Sequence, residues 1–307
     1  MERIHISDES LAAIAALHGR PVEAVRPIAS GVANHAFLLG DDLVLRIPRS
    51  DDFVEDLAKE AAVIPVARRL GVRTPAVVSF TRGRAEAGVP FLVLERVIGI
   101  DLEQRDASST AAGRAYADVG GQLAALHRLR PGDAPDLTAL PVEDTSPSPW
   151  ELVPELAAAG SIDRDSARWL TDWFTRLSKH MPSDPDQVLV HGDIAPQNLI
   201  VDPRTGELAG IVDWGDAMWA DPAAEFAKIP LSEIGPMVEA YRATAEPADG
   251  EWEARLLWYH LHWALGRLRD PAPRPGQRHW SAPPASRILH LLRFLAGSPP
   301  APWSRLC

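Results

Sequence analysis

The chain has 307 residues, enough for two lobes around a sizeable core, and its 46% hydrophobic and 24% charged content is that of an ordinary folded protein. A net charge of −11 argues against a nucleic-acid partner, which demands a positive face; it either attracts a cationic small molecule or simply keeps the protein soluble. The single cysteine, Cys307, excludes an internal disulfide framework, no apolar run approaches the roughly 20 residues of a membrane span, and the first residues carry no signal-peptide pattern, so a cytoplasmic protein without a membrane partner is expected.

Residues 10–18 have the spacing of a short amphipathic helix, stopped by Gly19 and Pro21. Strand-like runs at 36–39 and 43–47 flank a Gly-Asp-Asp turn. Residues 54–70 return to helical spacing and end at Gly71, with Pro65 inside as a candidate kink. Two more strands are predicted at 76–80 and 91–97. A long helix over 116–129 precedes a Pro/Asp/Ser-rich loop, and further helices fall at 151–159 and 163–180. Short apolar strands at 188–190, 199–201 and 208–212 interrupt a remainder that is otherwise helical, notably over 252–269 and up to 295. Ten tryptophans, concentrated in the C-terminal half, offer flat apolar surface to a ligand or to a core. The pattern predicts an α+β, bilobal architecture. A β-rich N-lobe with one inserted helix spans 1–98, and a larger helical C-lobe spans 99–307, with a hinge near 95–99.

The chemistry concentrates in His191-Gly192-Asp193, followed by Asn198 and then Asp213. Asp193 lies in a short loop between two apolar strands, where a carboxylate has no evident structural task; there it can take the proton of an attacking hydroxyl. Asn198 offers a neutral oxygen, and Asp213 a charged one, to a hard cation such as Mg²⁺. Phosphoryl transfer needs those parts: in-line positioning, neutralised phosphate charge and a group that orients the nucleophile. No G-x-x-x-x-G-K-[ST] is present, which argues against a P-loop NTPase.

The run VLVHGDIAPQNLIVD followed by GIVDWGDA resembles the catalytic and metal loops of the aminoglycoside phosphotransferase family, relatives of the protein kinases. Where protein kinases carry H-R-D and D-F-G, this chain has His191-Gly192-Asp193 and Asp213-Trp214-Gly215. The resemblance implies a protein-kinase-like fold, Asp193 as catalytic base and Asn198 with Asp213 as magnesium ligands. It also implies a loop over the nucleotide phosphates at Ser30, Gly31, Asn34 and His35, which has one glycine where protein kinases have several. Arg46 stands where the family's strand normally bears a phosphate-binding lysine, with Glu60 as its helix partner and Glu55 as the alternative. Backbone groups at Glu95 and Val97 are expected to meet the nucleotide base. Asp221-Pro222 with Glu225 resembles the family's brace behind the metal loop, with Glu in place of the usual Asp. His127, His260 and His262 read as packing residues.

The stretch VLRIPR, an early ALHG segment and VDWGDA look most like the macrolide phosphotransferase branch, although Asn198 departs from it. That likeness implies GTP or ATP as donor, Mg²⁺ as cofactor and a hydroxyl on a large cationic antibiotic as acceptor. Aminoglycosides, other antibiotics and small metabolites are the alternative acceptors. A catalytically dead nucleotide-binding scaffold and a metal-dependent hydrolase are the readings from other classes.

Overall fold

The computed structural model describes residues 3–28, 31–83, 87–105, 110–183, 186–245, 252–271 and 283–306. The chain begins with helix α1 (Asp8–Leu17), whose first turn is capped by the Ser7 hydroxyl accepting the Ser10 N–H at 3.1 Å. Strands β1 (Val25–Ile28), β2 (Asn34–Leu39) and β3 (Leu43–Pro48) follow, then helix α2 (Val54–Arg69), β4 (Val77–Thr81) and β5 (Phe91–Glu95). The five strands form one antiparallel sheet in the order β1-β2-β3-β5-β4.

Strand alternation gives this sheet two different faces. Leu45 and Ile47 of β3, with Phe91 and Val93 of β5, pack into a core shared with Ile14 of α1. Leu92 and Leu94 point the other way, into the large core that includes Leu57 and Ile64 of α2 and continues through the second lobe. Each such fully buried side chain contributes about 1.5–3 kcal/mol relative to exposure. The same alternation puts Arg46 on the face opposite Leu45 and Ile47, which is the face that looks toward the second lobe.

Past β5 the chain enters a short strand β6 (Ile100–Asp101) and the helix α3 (Thr110–Leu126). Two helices, α4 (Pro149–Ala158) and α5 (Arg164–Leu177), lead to β7 (Val188–Val190), β8 (Leu199–Val201), β9 (Leu208–Ile211) and β10 (Met218–Ala220). Helices α6 (Gly235–Thr244), α7 (Trp252–Gly266) and α8 (Pro284–Ala296) complete the lobe. β6, β8 and β9 make one small antiparallel sheet, and β7 with β10 another. Between them these sheets present the 191–198 loop and the 213–216 turn to the N-lobe.

Two close approaches fix the geometry. A Cβ on Gly120 would lie 2.1 Å from the Met237 carbonyl oxygen, so α3 and α6 meet backbone to side-chain-free backbone. At the link between lobes a Cβ on Gly99 would come within 2.5 Å of the Val201 carbonyl oxygen.

Several sequence expectations need adjustment. α2 runs through Pro65 as one helix instead of breaking there. α3 begins at Thr110 and ends at Leu126, earlier at both ends than the expected 116–129. β1 has no apolar alternation to mark it in the sequence, because it is an edge strand with exposed Arg26 and Pro27, a place where proline costs no ladder bond. β6 and β10 are too short to show a period, and α6 was not resolved from its surroundings. Five of the nine tryptophans among the described residues lie in the core: Trp214 and Trp252 are fully buried, and Trp173, Trp219 and Trp258 are buried. No helix of the described residues is long and apolar enough to cross a membrane.

Candidate active site

The 191–198 loop is built around its backbone amides. Glu225, carried on a short turn at Ala224–Phe226, accepts the N–H groups of His191 at 2.6 Å and Gly192 at 3.0 Å. Burial works against its charge, but His127, 3.6 Å away, and His191 outweigh that and hold its carboxyl below the usual range. His127 is itself buried and meets the Tyr241 hydroxyl at 3.0 Å. His191 is fully buried against Trp214, with ring centroids 4.5 Å apart. Its Nδ1 accepts the Asp193 N–H at 3.1 Å, so its Nε2–H is left to donate to the Val212 carbonyl at 3.1 Å. Gly192 has φ +79°, and a Cβ there would sit 2.2 Å from the Asp216 carbonyl oxygen. Only glycine satisfies both demands.

This frame aims two side chains. The Asn198 amide donates to both the Asp193 carbonyl, at 2.9 Å, and its carboxylate Oδ2, at 2.7 Å. With both N–H groups spent on Asp193, its Oδ1 remains as an acceptor. The other carboxylate oxygen of Asp193 takes the Lys228 ammonium at 2.7 Å. Asp213 sits in the left-handed region at φ 71°, which turns its side chain into the cleft. Its Oδ1 is bound by the Arg46 guanidinium at 2.7 Å, and the side chain remains 46% exposed. Desolvation in the cleft works against the Asp213 charge, yet Arg46 outweighs it and holds the carboxyl below its ordinary value.

Arg46 also forks onto Glu60 at 2.6 and 2.7 Å, so it ties the N-lobe helix α2 to the turn after β9. Burial pushes the Glu60 carboxyl up to about 7; Arg46 pulls it down, and the Asp213 charge adds to the rise. Glu55, the alternative partner, pairs instead with Arg82 at 2.9 Å.

One cavity of about 590 Å³ between the lobes is lined by Gly31, Asn34, Arg46, Glu60, Glu95, Val97, Asp193, Asn198 and Asp213. Those nine expected site residues therefore converge, although they are spread from Gly31 to Asp213 along the chain. His35 does not join them. It follows Asn34 on β2, so its side chain points to the opposite face, where its ring meets Arg49 at 3.2 Å. Ser30 lies outside the described residues.

A second cavity of about 560 Å³ adjoins the first and shares Asp216 with it. Lys228, Tyr259, His262 and Trp263 line it together with Glu143. Burial pushes the Glu143 carboxyl up to about 7, helped by the nearby Asp221 charge, and its one side-chain partner is the Tyr259 hydroxyl at 3.4 Å. Neither Glu143 nor Lys228 was found from the sequence. Glu143 lies in a stretch with no period, and Lys228 follows the Glu225 turn in an otherwise apolar run.

The residues fit magnesium. Among the described residues no group of three or more His, Cys, Asp or Glu is placed to hold a metal. One amide oxygen and one carboxylate at the wall of a shared cavity instead suit a cation that keeps waters and takes its remaining ligands from phosphates.

A kinase-like phosphoryl-transfer enzyme is the class that this fold and this set of side chains define. The chain belongs to the phosphotransferase enzyme family known as APH, whose model matches residues 24–258. It is 29% identical over 185 residues to an aminoglycoside 3'-phosphotransferase of Streptomyces fradiae, a match covering 59% of this chain and 66% of that one, just short of two thirds. Among solved structures, aminoglycoside 2'-phosphotransferase-IIIa in its GDP complex superposes with a TM-score of 0.63 at 22% identity, covering 80% of this chain and 84% of the other. A macrolide 2'-phosphotransferase from Brachybacterium faecium superposes with a TM-score of 0.60 at 20% identity, over 85% and 91% of the two chains. These likenesses show the same fold.

Proposed function

We propose that this enzyme moves the γ-phosphate of GTP or ATP onto a hydroxyl of a cationic antibiotic, with a macrolide as the leading acceptor class. The observation that carries the reading is the position of Asp193, which lines a cavity together with Asn198, Asp213 and Arg46 and lies 2.7 Å from Lys228, a residue of the second, adjoining cavity. The nucleotide occupies the first cavity, its base toward the backbone at Glu95 and Val97 and its phosphates beneath Gly31 and Asn34. Asn198 and Asp213 would hold Mg²⁺, which would supply neutralisation of the phosphate charge. Asp193 accepts the acceptor's proton and aligns its oxygen. Residues 1–98 act as the nucleotide lobe and 99–307 as the acceptor lobe, with the hinge near 95–99.

The acceptor cavity is not the acidic funnel that the net charge suggested. Glu143, Asp144, Asp216 and Glu225 are matched by Lys59, Lys228, Arg267 and Arg269. Among the described residues, only Glu143 combines partial burial there with the lack of a cationic partner. One carboxylate without a cationic partner, in a cavity also lined by Tyr259, His262 and Trp263, suits an acceptor with one amine and a broad apolar body, whereas a polycation would find the remaining acidic groups offset by basic ones. Aminoglycosides are the second reading, favoured by the Streptomyces fradiae relative. The test is to incubate the enzyme with magnesium and either GTP or ATP, offering erythromycin and kanamycin in turn. Gain of one phosphate on erythromycin supports the macrolide reading, gain on kanamycin alone replaces it with the aminoglycoside one, and nucleotide consumption without any acceptor makes the protein a hydrolase.

A further inference from the structure

Lys228 lies three residues beyond Glu225, so one short segment braces the amides of the 191–198 loop and also grips its carboxylate. Its Nζ is 2.7 Å from Asp193 Oδ1 and 3.6 Å from Asp216 Oδ2, and the side chain is 23% exposed. Asp193 faces the nucleotide cavity, Lys228 faces the acceptor cavity, and Asp216 borders both. The ammonium therefore stands where one space opens into the other. Arg46 is engaged elsewhere, by Glu60 and Asp213. An ammonium carries three N–H donors. With Asp193 and Asp216 on two sides, one donor remains for the opening.

A phosphoryl group crossing that opening spreads its charge over three equatorial oxygens, and fixed cations at that point stabilise the transition state more than the ground state. We propose that Lys228 is a catalytic residue of the transfer, whose ammonium holds Asp193 in line with the acceptor hydroxyl and meets a non-bridging oxygen of the phosphoryl group as it crosses. In that step the bond from phosphorus to the bridging oxygen of the diphosphate breaks and a bond from phosphorus to the acceptor oxygen forms. The acceptor's proton passes to Asp193, the nucleoside diphosphate leaves, and Lys228 stays protonated throughout. The neighbouring Asp193 and Asp216 charges raise the Lys228 ammonium above its ordinary value despite burial, which keeps it charged. A sequence motif for the role is absent, because the lysine reaches the catalytic loop from a different segment.

The assignment rests on the phosphoryl-transfer reading above, and a transition-state mimic tests it without a known acceptor. Binding of GDP and of ADP with magnesium is measured by calorimetry, with and without aluminium fluoride, in the wild type, Lys228→Met and Lys228→Arg. The wild type is expected to bind one diphosphate markedly tighter when fluoride is present. Lys228→Met should bind that diphosphate alone within about threefold of wild type and lose most of the fluoride gain, on the scale of about 10²–10³ seen when one oxyanion donor is removed. Lys228→Arg should recover a large part of it. Should Lys228→Met fail to fold, Lys228→Gln carries the same measurement. A fluoride gain that survives in the neutral variants overturns the proposal, as does a parallel loss of diphosphate affinity and melting temperature, which marks a counter-ion that only holds the fold. A wild type with no fluoride gain for either diphosphate removes the phosphoryl-transfer reading and this one together. A Lys228-dependent gain alongside inert erythromycin and kanamycin keeps the proposal and discards only the acceptor class.

Discussion

At the residue scale, Asp193 shares its two carboxylate oxygens between Asn198 and Lys228, so its position is set before any substrate arrives. Asp193→Asn keeps the shape and removes the proton acceptor. Turnover should fall by about 10²–10⁴-fold while affinity for a fluorescent nucleotide is retained, and a variant that keeps most of its activity removes Asp193 from the role of base. The two proposed metal ligands should separate. Asp213→Ala takes away the charged oxygen and should cost more than the roughly 10–100-fold that losing an outer-shell partner costs in metal affinity; Asn198→Ala should be milder at the metal, since water replaces a neutral ligand. Magnesium titrations of nucleotide binding compare them, and the reverse order refutes this division of labour. Glu143 supplies the pH signature. Its carboxyl, pushed up to about 7 mainly by burial, is neutral below that pH and ionised above it. A cationic acceptor gains its partner only in the ionised form, so the acceptor KM should fall as pH rises through about 7. Glu143→Gln should flatten that step, and an unchanged profile would place the amine elsewhere.

At the element scale, the C-lobe depends on two helices meeting without side chains between them. A side chain on Gly120 of α3 strikes the Met237 carbonyl of α6, a backbone atom that cannot swing aside. Gly120→Val should therefore cost stability at the upper end of the about 1–3 kcal/mol typical of overpacking. Thermal melts of the variant read this directly. A melting temperature equal to wild type would mean that the α3–α6 contact is looser than the geometry requires. The site's own turns obey the same logic. The Glu225 carboxylate satisfies two loop amides at once, and His191 is held in one tautomer by the Asp193 N–H and the Val212 carbonyl, so these buried bonds fix the start of the loop.

For the whole molecule, the net charge of −11 acts at long range while the acceptor cavity itself is nearly balanced. Screening shortens to about 8 Å at physiological ionic strength, so added salt should raise the acceptor KM modestly, less than a polyanionic funnel would give. The tryptophan content makes a sharper demand. Trp263 is the one tryptophan among the described residues that lines this cavity, the rest of the buried ones serving the core. Erythromycin binding should quench intrinsic fluorescence, and Trp263→Phe should abolish the quench. A quench that persists in that variant puts the acceptor outside the cavity.

The bilobal plan and the family were legible in the chain, because alternation, helical spacing and the two loop motifs are local properties. Asp193 is marked in the sequence by its short loop between two apolar strands, and Asn198 and Asp213 by their spacing from it and by likeness to the family's loops. The cavity assignment of Gly31, Asn34, Arg46, Glu60, Glu95 and Val97 depended on likeness to a family; the exclusion of His35 needed only the strand period, correctly phased. Other features were invisible until the chain closed up. Lys228 lies 35 residues from the carboxylate it grips, Glu143 pairs across to a tyrosine on α7, and Arg46 spends one arm on Asp213 as well as two bonds on Glu60. Sequence alone determines which residues can do chemistry and which periods bury them. Which charges neutralise one another, and which carboxylate is left waiting for a cation, is decided by tertiary structure, because electrostatic partnership depends on distance in space and on the water that folding excludes.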